Sequence, residues 1–151
     1  MSITFKQGNI LDAKENVVTQ QVNCMGFMNA GLAKQIKIKW PIVEKEYKKF
    51  LNQFLQTKYC LGICQLVNIG ENQQIANLFA QEGYGRNSRF TNYEALYTAL
   101  EHLAKTAKIN NYSIAIPYGM GASLAGGNWD IVFAIISVVL KDCDVKIYSL
   151  D

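Results

Sequence analysis

Short runs rich in β-branched and aromatic residues recur along the chain at Ile3 to Phe5, Val17 to Val22, Ile63 to Val67, Ile75 to Phe79, Tyr112 to Ile116 and Val145 to Tyr148. Such residues suit a pleated, buried surface and predict six strands. Between the runs, apolar residues return at threes and fours. Pro41, tolerated in a first helical turn, is followed by Val43, Tyr47, Phe50, Leu51 and Phe54, one apolar stripe of a sheet-packed helix. Thr91-Asn92-Tyr93-Glu94 has capping-box spacing, with the Thr91 hydroxyl expected to accept from the Glu94 amide; Leu96, Leu100, Leu103 and Ala107 follow on one face. Asn128 is placed to cap a third helix carrying Trp129 and the apolar run Ile131 to Leu140, with Asp130 at the positive end of its dipole. A shorter helix is expected from Gly31 to Lys39. Strands alternating with helices predict an α/β fold of three layers, α/β/α, around a mixed, largely parallel sheet. Ligands in such folds bind beyond the carboxyl ends of the strands, which directs attention to the loops after Asn23, Phe79 and Pro117.

Composition narrows the class without naming a chemistry. A chain of 151 residues, half of them hydrophobic and with no repeat, low-complexity tract or linker, predicts one folded domain over 1–151. The net charge of +3 is far from the clustered basic stripe of a dedicated nucleic-acid binder, and Lys34, Lys37 and Lys39 read as a solvated helix face. Nucleic acid enters only as a carrier of the true ligand. Met1 to Gln7 lacks a charged and apolar leader pattern, and the run Ile131 to Leu140 is about half of what a membrane helix needs, so a cytoplasmic protein without membrane association is expected. Cys24, Cys60, Cys64 and Cys143, with a single histidine, show neither zinc spacing nor a disulfide framework; no metal and no cofactor are expected.

Three loops carry candidate chemistry. Pro117-Tyr118-Gly119-Met120-Gly121-Ala122-Ser123-Leu124-Ala125-Gly126-Gly127 holds four glycines and opens a helix at Asn128. Inward-turned amides and a helix N-terminus make a pyrophosphate cradle, although glycine content alone equally fits a bare strand-to-helix turn. Neither the Walker nor the Rossmann spacing is present. The loop Asn23 to Gly31 again sets small residues between strand and helix, and Asn23 and Asn29 offer amides to ribose hydroxyls or to their own turns. In the third loop, Gln81 to Phe90, Glu82 is the best-placed base unless it simply faces Arg86, and Tyr84 or Phe90 could stack on a ring. His102 sits mid-helix off the apolar stripe and is expected to be exposed.

Gly8-Asn9-Ile10-Leu11, Val22-Asn23-Cys24-Met25-Gly26 with Gly31-Leu32-Ala33, Asn77-Leu78-Phe79-Ala80-Gln81, Thr91-Asn92-Tyr93-Glu94-Ala95-Leu96, and Ile116-Pro117-Tyr118-Gly119-Met120-Gly121 with Gly126-Gly127-Asn128-Trp129 together resemble the macrodomain family. The resemblance covers nearly the whole chain. It is strongest to the branch of ADP-ribose 1''-phosphate phosphatases and of enzymes that remove terminal ADP-ribose from glutamate or DNA. It implies adenine near Asn9 and Ile10, with Asn9 where relatives often have aspartate. The distal ribose would lie near Asn23, Asn29 and Gln81. The phosphates would lie against Gly31, Leu32 and Ala33 and against Gly119, Met120, Gly121, Ala122, Ser123 and Leu124. Trp40, Pro41 and Trp129 read as packing residues.

One branch uses a lysine after the fourth strand and an aspartate in the last glycine loop. Here those places offer Gln81 and Glu82, and Ser123. A covalent lysine mechanism is therefore not expected. Catalysis would fall to a water activated by Glu82, or oriented by Asn23, Gln81 and the bound phosphates. Two functions follow from the resemblance: a hydrolase acting on an ADP-ribosylated protein or nucleic acid or on ADP-ribose 1''-phosphate, or a non-catalytic module that reads or sequesters ADP-ribose. A monomer is expected in either case.

Overall fold

The computed structural model describes residues 2–84 and 89–151. Six strands, β1 (Ile3–Gln7), β2 (Val17–Asn23), β3 (Cys64–Gly70), β4 (Gln73–Gln81), β5 (Ser113–Pro117) and β6 (Asp144–Ser149), form one sheet in the order β1-β6-β5-β2-β4-β3. Every neighbouring pair is parallel except β3 with β4. The antiparallel edge follows from sequence proximity, because only Glu71 and Asn72 separate those two strands. Their turn places Asn72 at φ 54, a left-handed conformation that asparagine tolerates.

Four helices cover the two faces: α1 (Gly31–Lys39), α2 (Pro41–Leu51), α3 (Tyr93–Asn110) and α4 (Trp129–Val139). Strand alternation sorts the core. Val17 of β2 joins Leu96, Leu100 and Leu103 of α3 and Val132 and Ile136 of α4 on one face. Val18 and Val22 join Ile36 of α1 and Val43, Tyr47 and Leu51 of α2 on the other. The result is the expected three-layer α/β/α arrangement. Phe54 lies beyond the end of α2 but still packs edge-on against Phe50, with ring centroids 5.3 Å apart.

The start of α3 departs from the expected capping box. Asn92, not Thr91, caps it, its Oδ1 accepting from the Ala95 amide at 3.0 Å. Thr91 is taken by tertiary bonds: its hydroxyl serves Gln21 and Gly121, and its amide donates to the Ala125 carbonyl at 3.2 Å. Asn128 caps α4 as expected, accepting from Asp130 and Ile131 at 2.8 and 3.3 Å. His102 is exposed. Among the described residues, no helix is long and apolar enough to cross a membrane, and no three His, Cys, Asp or Glu side chains gather as a metal site.

Candidate functional site

A cleft of about 480 Å³ opens at the carboxyl ends of β2, β4 and β5. On one wall stand Asn29, Ala30 and the first turn of α1; on the other stands the loop from Pro117 to Ala125, with Asn23, Gln81 and Tyr84 between. The walls approach closely, since a Cβ on Gly31 would lie 4.0 Å from the Leu124 side chain.

The loop walls are defined by which amides are used internally. Met120 donates to Pro117, Ala122 to Gly119, Gly126 to Ser123 and Gly127 to Gly121. The amides of Gly119, Gly121, Ser123, Leu124 and Ala125 find no acceptor among the described residues, and all five residues line the cleft. Ala122, whose amide is spent, does not line it. Opposite them, Gly31, Leu32 and Ala33 open α1, where no preceding helical carbonyl exists to accept their N–H groups. Their orphan amides add the positive end of the helix dipole. Two sets of fixed donors thus face one cleft, and no carboxylate, histidine, lysine or arginine occurs among its described lining residues.

Asn23 sits at the floor, only 7% exposed, and its amide organises the next loop. Its Oδ1 accepts from the Met25 and Phe27 amides at 2.9 and 3.4 Å, and its Nδ2 donates to the Phe27 carbonyl at 3.0 Å. The fully buried Tyr47 hydroxyl lies 2.6 Å from the Asn23 carbonyl and 2.7 Å from its Oδ1, and accepts from the Gly26 amide at 3.2 Å. Burial pushes the Tyr47 phenol well above its ordinary range, so it remains a neutral donor. Gln81 is similarly fixed, accepting from Gln21 at 2.9 Å and donating to the Gly83 carbonyl at 2.9 Å. Asn29 is exposed and accepts from Lys37 at 3.2 Å.

The structure therefore gathers Asn23, Asn29, Gly31, Leu32, Ala33, Gln81, Gly119, Met120, Gly121, Ser123 and Leu124 around one cavity. Met120 contributes its loop position while remaining 5% exposed, with the Thr19 hydroxyl 3.9 Å from its sulfur. Four expected site residues are not in the lining. Asn9 caps a 3-10 turn over Ile10–Asp12, its Oδ1 accepting from Leu11 at 2.9 Å, and Ile10 is 7% exposed in the core. The Ala122 amide donates to the Gly119 carbonyl at 2.9 Å within its own loop. Glu82, expected as a base, faces a second cavity of about 710 Å³ that it shares with Leu61, Arg89, Phe90 and Glu94. The main chain decides this: the Glu82 carbonyl accepts from the Cys24 amide at 3.2 Å, and β4 has ended one residue before. Its expected partner Arg86 lies outside the described residues. Of the two candidate stacking rings, Tyr84 lines the cleft, edge-on to Phe27 at 5.2 Å, while Phe90 belongs to the second cavity.

Sequence reasoning passed over Gln20, Gln21, Phe27 and Tyr118, which also line the cleft. The glutamines carried a signal. Two adjacent polar residues inside Val17-Val18-Thr19-Gln20-Gln21-Val22 must point to opposite faces of a strand covered on both, so each needs a buried polar role.

No family model matches the chain. The DNA ADP-ribosyl glycohydrolase of Mycobacterium tuberculosis (strain ATCC 25618 / H37Rv) is 25% identical over 149 residues, 97% of this chain and 42% of that protein. The ADP-ribose 1''-phosphate phosphatase of Saccharomyces cerevisiae (strain YJM789) is 27% identical over 103 residues, 63% of this chain and 57% of that protein. The chain thus spans less than two thirds of the length of either relative. The solved structure of a macrodomain protein from Streptomyces coelicolor matches with a TM-score of 0.82 at 25% identity, covering 98% of this chain and 99% of that one. The sheet order and this structural likeness together show that the chain has the macrodomain fold.

Proposed function

We propose that the cleft binds the ADP-ribose group and that the protein hydrolyses its bond to a modified protein or nucleic acid, or removes phosphate from ADP-ribose 1''-phosphate. The observation that carries the reading is the pair of facing amide sets, from Gly31 to Ala33 and from Gly119 to Ala125, around a cleft with no acidic side chain among its described lining residues. A pyrophosphate needs many short, fixed donors and no competing negative charge. Similarity to proteins named for ADP-ribosyl and ADP-ribose 1''-phosphate chemistry supports the same ligand. In this reading Gln81 and Asn29 face the distal ribose over the floor built by Asn23. The adenine end extends along the carboxyl edge of the sheet toward Asn9, whose Nδ2 has no partner among the described residues, with Ile10 behind it. The protein would act in the cytoplasm as a monomer.

Hydrolysis at the ribose requires water to attack C1'', the bond to the leaving group to break with its electron pair on the departing atom, and the water proton to pass to a base and on to that departing atom. With Glu82 outside the cleft, the bound phosphates serve as that base and Asn23 and Gln81 orient the water. The absence of an acid or base among the described lining residues favours a second reading, binding without turnover. Calorimetry with ADP-ribose, ADP and AMP tests the ligand; binding ADP-ribose no more tightly than AMP refutes it. Mass spectrometry after incubation with ADP-ribosylated DNA, an ester-linked ADP-ribosyl peptide and ADP-ribose 1''-phosphate separates the two readings, because the binding module leaves all three intact.

A further inference from the structure

Behind the glycine loop runs a chain of hydrogen bonds whose direction is fixed at every link. The Gln21 side-chain amide donates both protons, one to Gln81 Oε1 and one to Thr91 Oγ1, each at 2.9 Å. Because the Thr91 oxygen receives that proton, its own hydrogen is free to go elsewhere, and it is directed to the Gly121 carbonyl at 2.7 Å. The Gly127 amide meets the same carbonyl at 2.8 Å. Thr91 is 2% exposed, so these bonds form away from water.

The relay also explains the glycines. A Cβ on Gly121 would lie 2.7 Å from Gln21 Oε1, and one on Gly127 would lie 2.5 Å from the Gly121 carbonyl oxygen and 3.2 Å from Thr91. By contrast, among the described residues nothing lies within 4 Å of a Cβ on Gly119. Gly121 and Gly127 therefore leave room for the loop to close on Gln21 and Thr91, and Gly121 also takes a left-handed φ of 78. Gln21 Oε1 itself is buried with no hydrogen-bond partner among the described residues, an arrangement that costs stability and persists only where the rest of the network holds it.

We propose that Gln21 and Thr91 are positioning residues whose relay holds the Gly121 carbonyl turned away from the cleft, so that the loop presents amides and not an acceptor to an anion. The proposal rests on the reading of the cleft as a pyrophosphate site. Released from Thr91, the Gly121 carbonyl keeps one donor, Gly127, and the turn closed by the Ala122 amide on Gly119 at 2.9 Å loosens. The anion then meets a mixed population of loop conformations.

The test compares Thr91→Val, which keeps the shape and loses the hydroxyl, with Thr91→Ser, which restores it, and with Gln21→Met. Calorimetry with ADP-ribose is expected to show about tenfold weaker binding for Thr91→Val and Gln21→Met, as for loss of an orienting bond of ordinary strength. Thr91→Ser should stay within about twofold of the wild type. Equal affinities for Thr91→Val and the wild type, or equal losses for Thr91→Val and Thr91→Ser, overturn the proposal. Amide exchange at Ala122, read by NMR without ligand, gives an independent arm: protection is expected to fall in Thr91→Val and to return in Thr91→Ser, and unchanged protection in Thr91→Val also overturns it. Failure of the wild type to bind ADP-ribose refutes the ligand and leaves this second arm to decide the relay. Should Thr91→Val not fold, Gln21→Met carries both measurements.

Discussion

Replacing Tyr47 with phenylalanine deletes a single oxygen beneath the loop that follows β2. The ring remains packed against Phe79 at 5.7 Å, so no cavity is made. What disappears is the donor 2.6–2.7 Å from Asn23 and the acceptor for the Gly26 amide at 3.2 Å. Each bond is worth about 1 kcal/mol net, and leaving the buried Gly26 N–H without an acceptor costs about 1–3 kcal/mol. Since part of that penalty is the lost bond itself, the expected destabilisation is about 2–4 kcal/mol. For a domain of this size each kcal/mol lowers Tm by about 2–4 °C, giving a fall of roughly 5–15 °C. Urea unfolding at neutral pH measures the free energy directly. The effect is not electrostatic, because burial keeps the phenol neutral. Asn23 retains its bonds to Met25 and Phe27, so the loop loosens without being lost, and ADP-ribose affinity should weaken by the fraction of molecules no longer in the binding conformation. A loss below about 0.5 kcal/mol would show that the Tyr47–Asn23–Gly26 cluster does not hold the loop.

Other perturbations separate the parts of the site. Glu82→Ala should leave ADP-ribose affinity and any turnover within about twofold of the wild type, because a carboxylate in a separate, exposed cavity interacts weakly with the cleft; a large loss of turnover by mass spectrometry would return Glu82 to the chemistry. Gly119 and Gly121 have φ of 80 and 78, so alanine at either pays the left-handed penalty of about 1–2 kcal/mol. Only Gly121→Ala adds a 2.7 Å clash with Gln21 Oε1, and chemical denaturation should find it less stable than Gly119→Ala. Alkali should destabilise the fold. Burial raises the Cys64 thiol to about 12, and burial followed by the bond to Glu15 raises the Tyr148 phenol to about 12. Both groups release their protons in the unfolded chain first, so their contribution is complete below about pH 8 and falls as pH rises from about 9 toward 12. A urea midpoint that climbs between pH 9 and 10.5 would contradict that sign.

The sequence made the fold legible wherever local chemistry and tertiary packing agree. The β-branched runs fell on the strands, and Pro41 and Asn128 mark helix starts because a missing N–H and a side-chain acceptor suit the first turn in any setting. The Thr91 cap failed because its hydroxyl had a better use: a threonine that reads as a helix start in isolation is, in the folded chain, the link between β2 and the glycine loop. Glu82 failed for a similar reason. Proximity to Gln81 along the chain says nothing of direction once the strand ends, and the two residues serve different cavities. Asn23 lies at the cleft floor, but its Oδ1 is taken up in shaping the loop. Sequence could not reveal that, because its partners Phe27 and Tyr47 come from the loop itself and from α2.

The lack of charged side chains among the described residues of the cleft follows from how its donors are built. A lysine or arginine would bring charge at the end of a long, mobile stem, which must be ordered on binding. Backbone amides are already ordered by the fold, and the relay from Gln21 through Thr91 to Gly121 orders the loop that carries five of them. In sequence the glycine-rich segment reads as a pyrophosphate cradle. Packing adds a cause at Gly121 and Gly127, where the missing side chains make room for the relay. The same glycines therefore serve an anion indirectly, by letting the loop close in the one conformation that leaves its N–H groups free. Such a device stabilises a ligand without supplying a proton donor or acceptor of its own. That separation places the question of turnover on the water, Asn23 and Gln81 at the cleft floor, while the question of binding rests on the glycine loop.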